Sequence, residues 1–280
     1  MTKKSYKITI LGCGGSIGVP SVERGWENCD PNEPKNYRMR TSALIEVTNS
    51  NVSQKVSQNS EESYNILIDA GPDFRQQALK NNIKKIDTVL FTHAHADHIL
   101  GIDELRSINR IMKKSINAYA FSTTSNIIKE MFSYVFKPHP VGVKDLFYRP
   151  QLNLFDIEYY KEFQLDNNST ILPTQQVHGR IETTGFVIDG RIGYATDFVS
   201  LPSETIEKYK NLDLLVISAF TRKEHDAHMR LQSVLELIEY VSPQKAILTH
   251  MGATMDYNEL MRELPTNVLP AYDGMVIEVE

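Results

Sequence analysis

Cysteine is almost missing from this chain: Cys13 and Cys29 are the only two in 280 residues. That excludes a disulfide framework and a paired-cysteine metal knuckle, and it suits a reducing cytoplasm. Long apolar stretches are missing as well. No run reaches the roughly 18 residues that a membrane helix needs. The opening MTKKSYKITIL passes from lysines into a short β-like segment with no signal-peptide core. The expectation is a soluble, cytoplasmic protein with no membrane partner. Basic charge is in deficit too, with 30 Lys and Arg against 35 Asp and Glu and a net charge of −5. Such a balance disfavours a surface built to wrap nucleic acid, without excluding a local basic pocket. The totals leave the oligomeric state open, with a homodimer among the options.

What is present describes a folded globular chain: 41% hydrophobic and 23% charged residues supply a sizeable core. Strand patterns fall at 6–11, 42–47, 65–69, 87–92, 151–155, 170–177, 183–188, 191–196, 214–218, 245–249 and 275–279. Helical spacing falls at 102–113, 125–135, after Pro202, at 231–240 and at 257–263. Hairpin-type strands in both halves with helices between them predict two sheets held between outer helices, as a single domain over 1–280. Residues 21–40 carry turn chemistry throughout and read as a long loop, the kind often tied to function. The stretch 48–64, polar and rich in Ser and Asn, reads as a flexible hairpin insertion. The turn Gly12-Cys13-Gly14-Gly15 lacks both a full GxGxxG and a following Lys-Ser/Thr, so a tight turn is the better reading than a phosphate loop.

The strongest local signal is Thr92-His93-Ala94-His95-Ala96-Asp97-His98. Four metal-capable side chains lie within six residues, directly after an apolar strand. Residues two apart at a strand end point the same way, so His93 and His95 can grip one ion. Asp97 and His98 follow once the chain has turned, and can face a neighbouring ion. Chance produces such a match in only about 3 of 10,000 chains of this composition. Imidazole with carboxylate suits zinc, manganese or iron. Three further candidates each end a strand-like run: His178 after ILPTQQV, Asp197 after RIGYAT and His250 after AILT. Singly, each reads as a turn residue; together with the motif they read as the rest of a two-ion site.

With those residues in place, the chain resembles the metallo-β-lactamase superfamily and, within it, the PhnP-type phosphodiesterases, whose best-described member acts on a cyclic ribose phosphate. The likeness runs nearly end to end through GCGGSIGVP, LIDAGPDFR, THAHADH, GYATD, ILTHM and PAYDGMVIEV. It implies an α/β fold, the four-layer αββα sandwich with two mixed β-sheets. It implies two divalent metal ions, Zn²⁺ or Mn²⁺. His93, His95 and His178 would hold one, Asp97, His98 and His250 the other, with Asp197 bridging. PhnP also has a structural zinc site of clustered cysteines and a late histidine. Here that loop offers only Cys29, and the third residue after His250 is Ala253. The extra zinc is therefore expected to be absent, with loop 21–40 held another way, such as by burial of Trp26.

Two such ions would lower the pKa of a shared water and present hydroxide to a small or cyclic phosphodiester. Asp97 and His228 are the candidate catalytic residues, His228 as proton donor to the leaving oxygen, with His225 able to exchange roles with it. Relatives place a histidine at the point matching His228. Asp69 is the candidate for orienting a ligand imidazole from behind. Arg106, Lys137, Arg180 and Arg222 are candidate phosphate contacts, and His139 a loop residue near the pocket mouth. Competing readings are an endoribonuclease of the tRNA 3′-processing type, a thioester, lactone or lactam hydrolase on the same fold, and a metal-binding protein without catalysis. No lysine- or glycine-rich arm for tRNA is visible.

Overall fold

The computed structural model describes residues 4–49, 63–138, 141, 142, 145 and 147–280. The N-terminal half supplies β1 (Lys4–Gly12), β2 (Ser42–Asn49), β3 (Tyr64–Ile68), β4 (Thr88–Leu90), β5 (Ile116–Phe121) and β6 (Leu152–Ile157). The C-terminal half supplies β7 (Phe163–Gln164), β8 (Thr170–His178), β9 (Ile181–Ile188), β10 (Ile192–Ala195), β11 (Leu214–Ser218), β12 (Lys245–Thr249) and β13 (Val268–Pro270). Finally β14 (Val276–Val279) returns to the first half. The helices are α1 (Phe74–Lys80), α2 (Ala96–Ile99), α3 (Leu105–Met112), α4 (Ser122–Met131), α5 (Ser133–Phe136), α6 (Ser203–Lys208), α7 (Leu231–Val241) and α8 (Tyr257–Glu263).

The strands form two seven-stranded mixed sheets, ordered β14-β1-β2-β3-β4-β5-β6 and β13-β12-β11-β10-β9-β8-β7. Each sheet begins with antiparallel pairs and turns parallel at one strand, β3 in the first and β10 in the second. Alternation along the strands sorts side chains to two faces. Ile45, Ile66, Ile68 and Leu90 enter the core between the sheets, where they meet Phe186, Tyr194 and Ile217. Leu44, Leu67, Val89 and Phe91 point the other way, under Phe74, Leu105, Ile108 and Ile128 of α1, α3 and α4. On the far side, Leu231, Val234 and Ile238 of α7 seal the second sheet. This is the expected αββα sandwich. Each fully buried aliphatic side chain contributes about 1.5–3 kcal/mol by area. Among the described residues no helix is long and apolar enough to cross a membrane.

Several boundaries differ from the sequence reading. The helix expected over 102–113 opens with a 3₁₀ turn, Ile102–Glu104, before α3, and the one over 125–135 is interrupted at Phe132 between α4 and α5. Strand β5, next to the edge strand β6, had no sequence assignment. The insertion expected over 48–64 lies largely outside the described residues, and its described ends belong to the paired strands β2 and β3. His139 also lies outside them. Loop 21–40 holds Trp26 partly buried. Its anchor is Arg38, 2% exposed and among the largest buried side chains. The Arg38 guanidinium donates to the carbonyls of Gly252 at 3.2 Å and Met255 at 2.5 Å, and stands 3.8 Å from Cys29 Sγ. Asn36 completes the dock by donating to Asp256 Oδ2 at 2.6 Å and accepting from the Tyr257 amide at 2.8 Å.

Candidate metal centre

The parallel strands of both sheets deliver their C-terminal ends to one edge, where side chains of such folds converge. β4 leads into Thr92, and the chain then runs extended to His95, which caps the four-residue α2. Asp97 and His98 therefore sit on a first helical turn, buried, while His93 precedes it and His95 stays open to solvent. His178 is the last residue of β8, and Asp197 and His250 follow β10 and β12. The Thr184 amide of β9 donates to the Thr92 carbonyl at 2.9 Å, so the motif is tied across to the second sheet. Asp69, Asp197 and His250 all have left-handed backbone, with φ of 60°, 54° and 51°. Asp and His tolerate that region better than bulkier residues do, yet it costs on the order of 1–3 kcal/mol. Strain of this kind re-aims a side chain that would otherwise continue the pleat.

All seven candidate ligands are brought together. Potential ligand atoms of His93, His95 and His178 lie within 4.8 Å of one another, as do those of Asp97, His98 and His250, and those of His93, His98 and Asp197. Asp197 stands between the groups, its Oδ2 2.8 Å from His98 Nε2 and its Oδ1 3.1 Å from His250 Nε2. Asp69, fully buried, stands behind. Its Oδ2 accepts from Thr92 Oγ1 at 2.7 Å and lies 2.7 Å from His98 Nδ1, while its Oδ1 accepts from the Thr92 amide at 2.8 Å. With Nδ1 turned to the carboxylate, His98 aims Nε2 into the cluster. His178 is set likewise: its Nδ1 donates to the Ala227 carbonyl at 2.7 Å, leaving Nε2 free.

The donor set fits divalent ions. His93 Nε2, His98 Nε2 and both ring nitrogens of His250 are buried without an aligned hydrogen bond to any described residue. Buried nitrogens in that state are costly unless something binds them. For His93, His95, Asp97 and Asp197, charge points the same way. Full burial holds the His93 imidazole well below the usual histidine range, and partial desolvation with His178 nearby lowers that of the more open His95, so both are neutral as ligation requires. For Asp97 and Asp197, burial acts to raise the carboxyl pKa, but the surrounding imidazoles, His98 and His250 foremost, outweigh it and hold both well below the usual range. His98 is the reverse: burial would lower it, yet Asp69, Asp197 and Asp97 lift it well above.

His228 lies at the edge of this cluster, its Nδ1 3.5 Å from Asp197 Oδ1 and its ring 4.8 Å from that of His178. Burial, reinforced by His250 nearby, holds its pKa down at about 3. Phe220 packs on the ring at 4.5 Å between centroids. His225 is exposed, its Nδ1 accepts from the Ala227 amide at 3.2 Å, and its ring centroid lies 5.0 Å from that of His228. Arg222 gives both guanidinium arms to Glu263, at 3.0 and 2.6 Å, and Arg106 lies against Asp103 and the Tyr148 carbonyl. Neither arrangement presents a free fork to a phosphate. Arg180, two residues after His178, is exposed and has no partner among the described residues. At the glycine turn, the amides of Gly14 and Gly15 donate to the carbonyls of Met39 and Met251, which excludes them from anion binding. The Ala227 carbonyl was invisible as a site group, because a backbone oxygen carries no chemical signature in sequence.

Residues 64–251 match the β-lactamase superfamily domain. The whole chain is similar to the crystal structure of a diphosphatase from the PhnP family, at 30% identity and a TM-score of 0.83, with 100% of this chain and 98% of that one covered. It is also similar in fold to the short form of human tRNase Z, at 20% identity and a TM-score of 0.62, covering 97% and 98%. Among curated proteins, an octanoyltransferase of Porphyromonas gingivalis is 32% identical over 268 residues, which is 95% of this chain and 50% of that protein. The chain thus spans about half the length of that relative.

Proposed function

Because the chain belongs to the metallo-β-lactamase superfamily, on its PhnP-like branch, we propose that it is a phosphodiesterase acting on a small or cyclic phosphodiester. The observation that carries this reading is His228: an imidazole 3.5 Å from Asp197 Oδ1, grouped with His178 and Asp197 yet outside the two three-residue groups of His93, His95, His178 and of Asp97, His98, His250. A phosphodiester requires such a group, because its leaving alkoxide must take a proton.

His93, His95 and His178 would hold one divalent ion and Asp97, His98 and His250 the other, with Asp197 shared between them. The nitrogen and oxygen donors suit Zn²⁺ or Mn²⁺. Bound there, such a pair supplies Lewis acidity and a nucleophilic water at neutral pH. The chain's own residues do the rest. Asp97, ionised, accepts a proton bond from the attacking water and orients it. His95, on the open side, would mark where substrate enters, and the exposed Arg180, two residues after His178, would meet a phosphoryl oxygen there. His228 is uncharged in the protein alone, and an anionic phosphoryl group within hydrogen-bond range favours its imidazolium. It then delivers that proton to the leaving oxygen.

A second reading, hydrolysis of a P–O–P diphosphate, is favoured by the name of the PhnP-family neighbour and asks the same of every residue. The −5 net charge weighs against a tRNA substrate. Protein loaded with Mn²⁺ or Zn²⁺ is expected to cleave bis-p-nitrophenyl phosphate and cyclic phosphodiesters. His228→Ala should lower kcat about 10²–10⁴-fold with metal content, by elemental analysis, unchanged. Inertness of fully loaded protein towards phosphodiesters and diphosphates alike, with turnover of a thioester or lactone, would overturn both readings.

A further inference from the structure

Thr92 follows β4 directly before the histidine motif, and its backbone is held from two sides. Its amide donates to Asp69 Oδ1 at 2.8 Å, and its carbonyl accepts the Thr184 amide of the second sheet at 2.9 Å. The side chain between those ties is fully buried. Its hydroxyl lies 2.7 Å from Asp69 Oδ2 and 3.0 Å from His93 Nδ1. A threonine hydroxyl has one proton to give and two lone pairs with which to receive. Asp69 Oδ2 lies 2.7 Å from His98 Nδ1 as well, so it works as an acceptor, and the hydroxyl proton points to it. Were that proton turned to His93 instead, oxygen lone pairs would face each other across 2.7 Å. His93 is then the donor, through Nδ1–H. That leaves its Nε2, buried without an aligned partner among the described residues, to face the cluster.

Among the described residues Thr92 Oγ1 is the one hydrogen-bond partner of His93 Nδ1. The groups form a single chain: His93 Nδ1–H to the hydroxyl, the hydroxyl to Asp69 Oδ2, and His98 Nδ1–H to that same oxygen. His93 belongs to one candidate ligand group, with His95 and His178, and His98 to the other, with Asp97 and His250. We infer that Thr92 is a positioning residue for both groups. Its hydroxyl sets the tautomer and ring direction of His93, and through Asp69 it steadies His98. A β-branched side chain on a pinned backbone suits that task, because its χ1 is stiff. The threonine touches neither ion nor substrate; it acts through the ligands.

The inference rests on the reading of His93 and His98 as metal ligands, and the experiment separates the two. Zn²⁺ affinity is measured by chelator competition for the wild type, Thr92→Val and Thr92→Ser. Valine keeps the branched shape and both backbone ties but has no hydroxyl, whereas serine keeps the hydroxyl. Thr92→Val should weaken Zn²⁺ binding about 10–100-fold, the range for groups that orient a ligand imidazole, and Thr92→Ser should recover most of that loss. Imidazole nitrogen NMR spectra of the zinc-loaded wild type, which need no variant to fold, should show His93 protonated at Nδ1. Wild-type affinity in Thr92→Val, equal losses in the valine and serine variants, or a zinc-loaded wild type whose His93 carries no proton on Nδ1 would each overturn the role of Thr92 and leave the metal centre standing. A wild type that takes up no Zn²⁺ would overturn both.

Discussion

At Gly71 the chain passes so close to the histidine motif that a Cβ there would stand 1.9 Å from the Asp97 carbonyl oxygen. Backbone cannot yield as a flexible side chain would, so Gly71→Ala must push the turn that follows Asp69 away from α2. We expect a loss of about 1–3 kcal/mol or more, read as a lower urea midpoint, and a drop in bound metal measured on the folded fraction. Retention of full metal content would show that the motif does not depend on this contact. At this scale legibility followed distance along the chain. His93, His95, Asp97 and His98 declare themselves because their spacing is local. The Ala227 carbonyl reaches His178 across 49 positions and has no side chain to announce it. Arginines showed their charge but not their partners, so Arg222, committed to Glu263, and Arg180, free of described partners, looked alike.

The elements were easiest to read where one face is unambiguous. β11, β12 and α8 fall where the apolar pattern puts them, whereas β5 was missed because two of its three inward residues, Ala118 and Ala120, are too small to stand out. The segment before β14 shows a tie that no periodicity reveals. Asp273 accepts the amides of Cys13 at 3.1 Å and Met39 at 2.7 Å, holding the glycine turn to loop 21–40. Burial pushes its carboxyl up to about 6, against those two donors. The folded state then holds a proton that the unfolded chain, near 3.9, gives up. Asp273 thus favours folding below about pH 4 and loses that advantage as pH rises through 6. Asp273→Asn should remove this slope. Compared with wild type, its unfolding free energy should rise by about 2–3 kcal/mol between pH 4 and 7, as measured by urea melts across the range. A flat difference would mean the carboxyl titrates normally.

Across the whole molecule, the two sheets share one scheme, antiparallel then parallel, and each supplies part of the cluster at its parallel end. The repeat was not visible in sequence, because it lies in strand pairing and not in residue identity. Ions held by residues of both sheets would staple them together. At a concentration of about 100 Kd each should add about 2.7 kcal/mol, so EDTA should lower Tm by several degrees and readdition should restore it. An unchanged Tm would mean that the cluster holds no ion in the folded protein.

Loop 21–40, the N-terminal arm anchored by Arg38, will answer differently. Here a guanidinium, Arg38, does the securing, lodged on the carbonyls of Gly252 and Met255, and no sequestering agent can extract it. Metal starvation should therefore leave the arm as resistant to proteolysis as before. The starved protein would be an intact tool without its charge of ions, ready to work again as soon as they return.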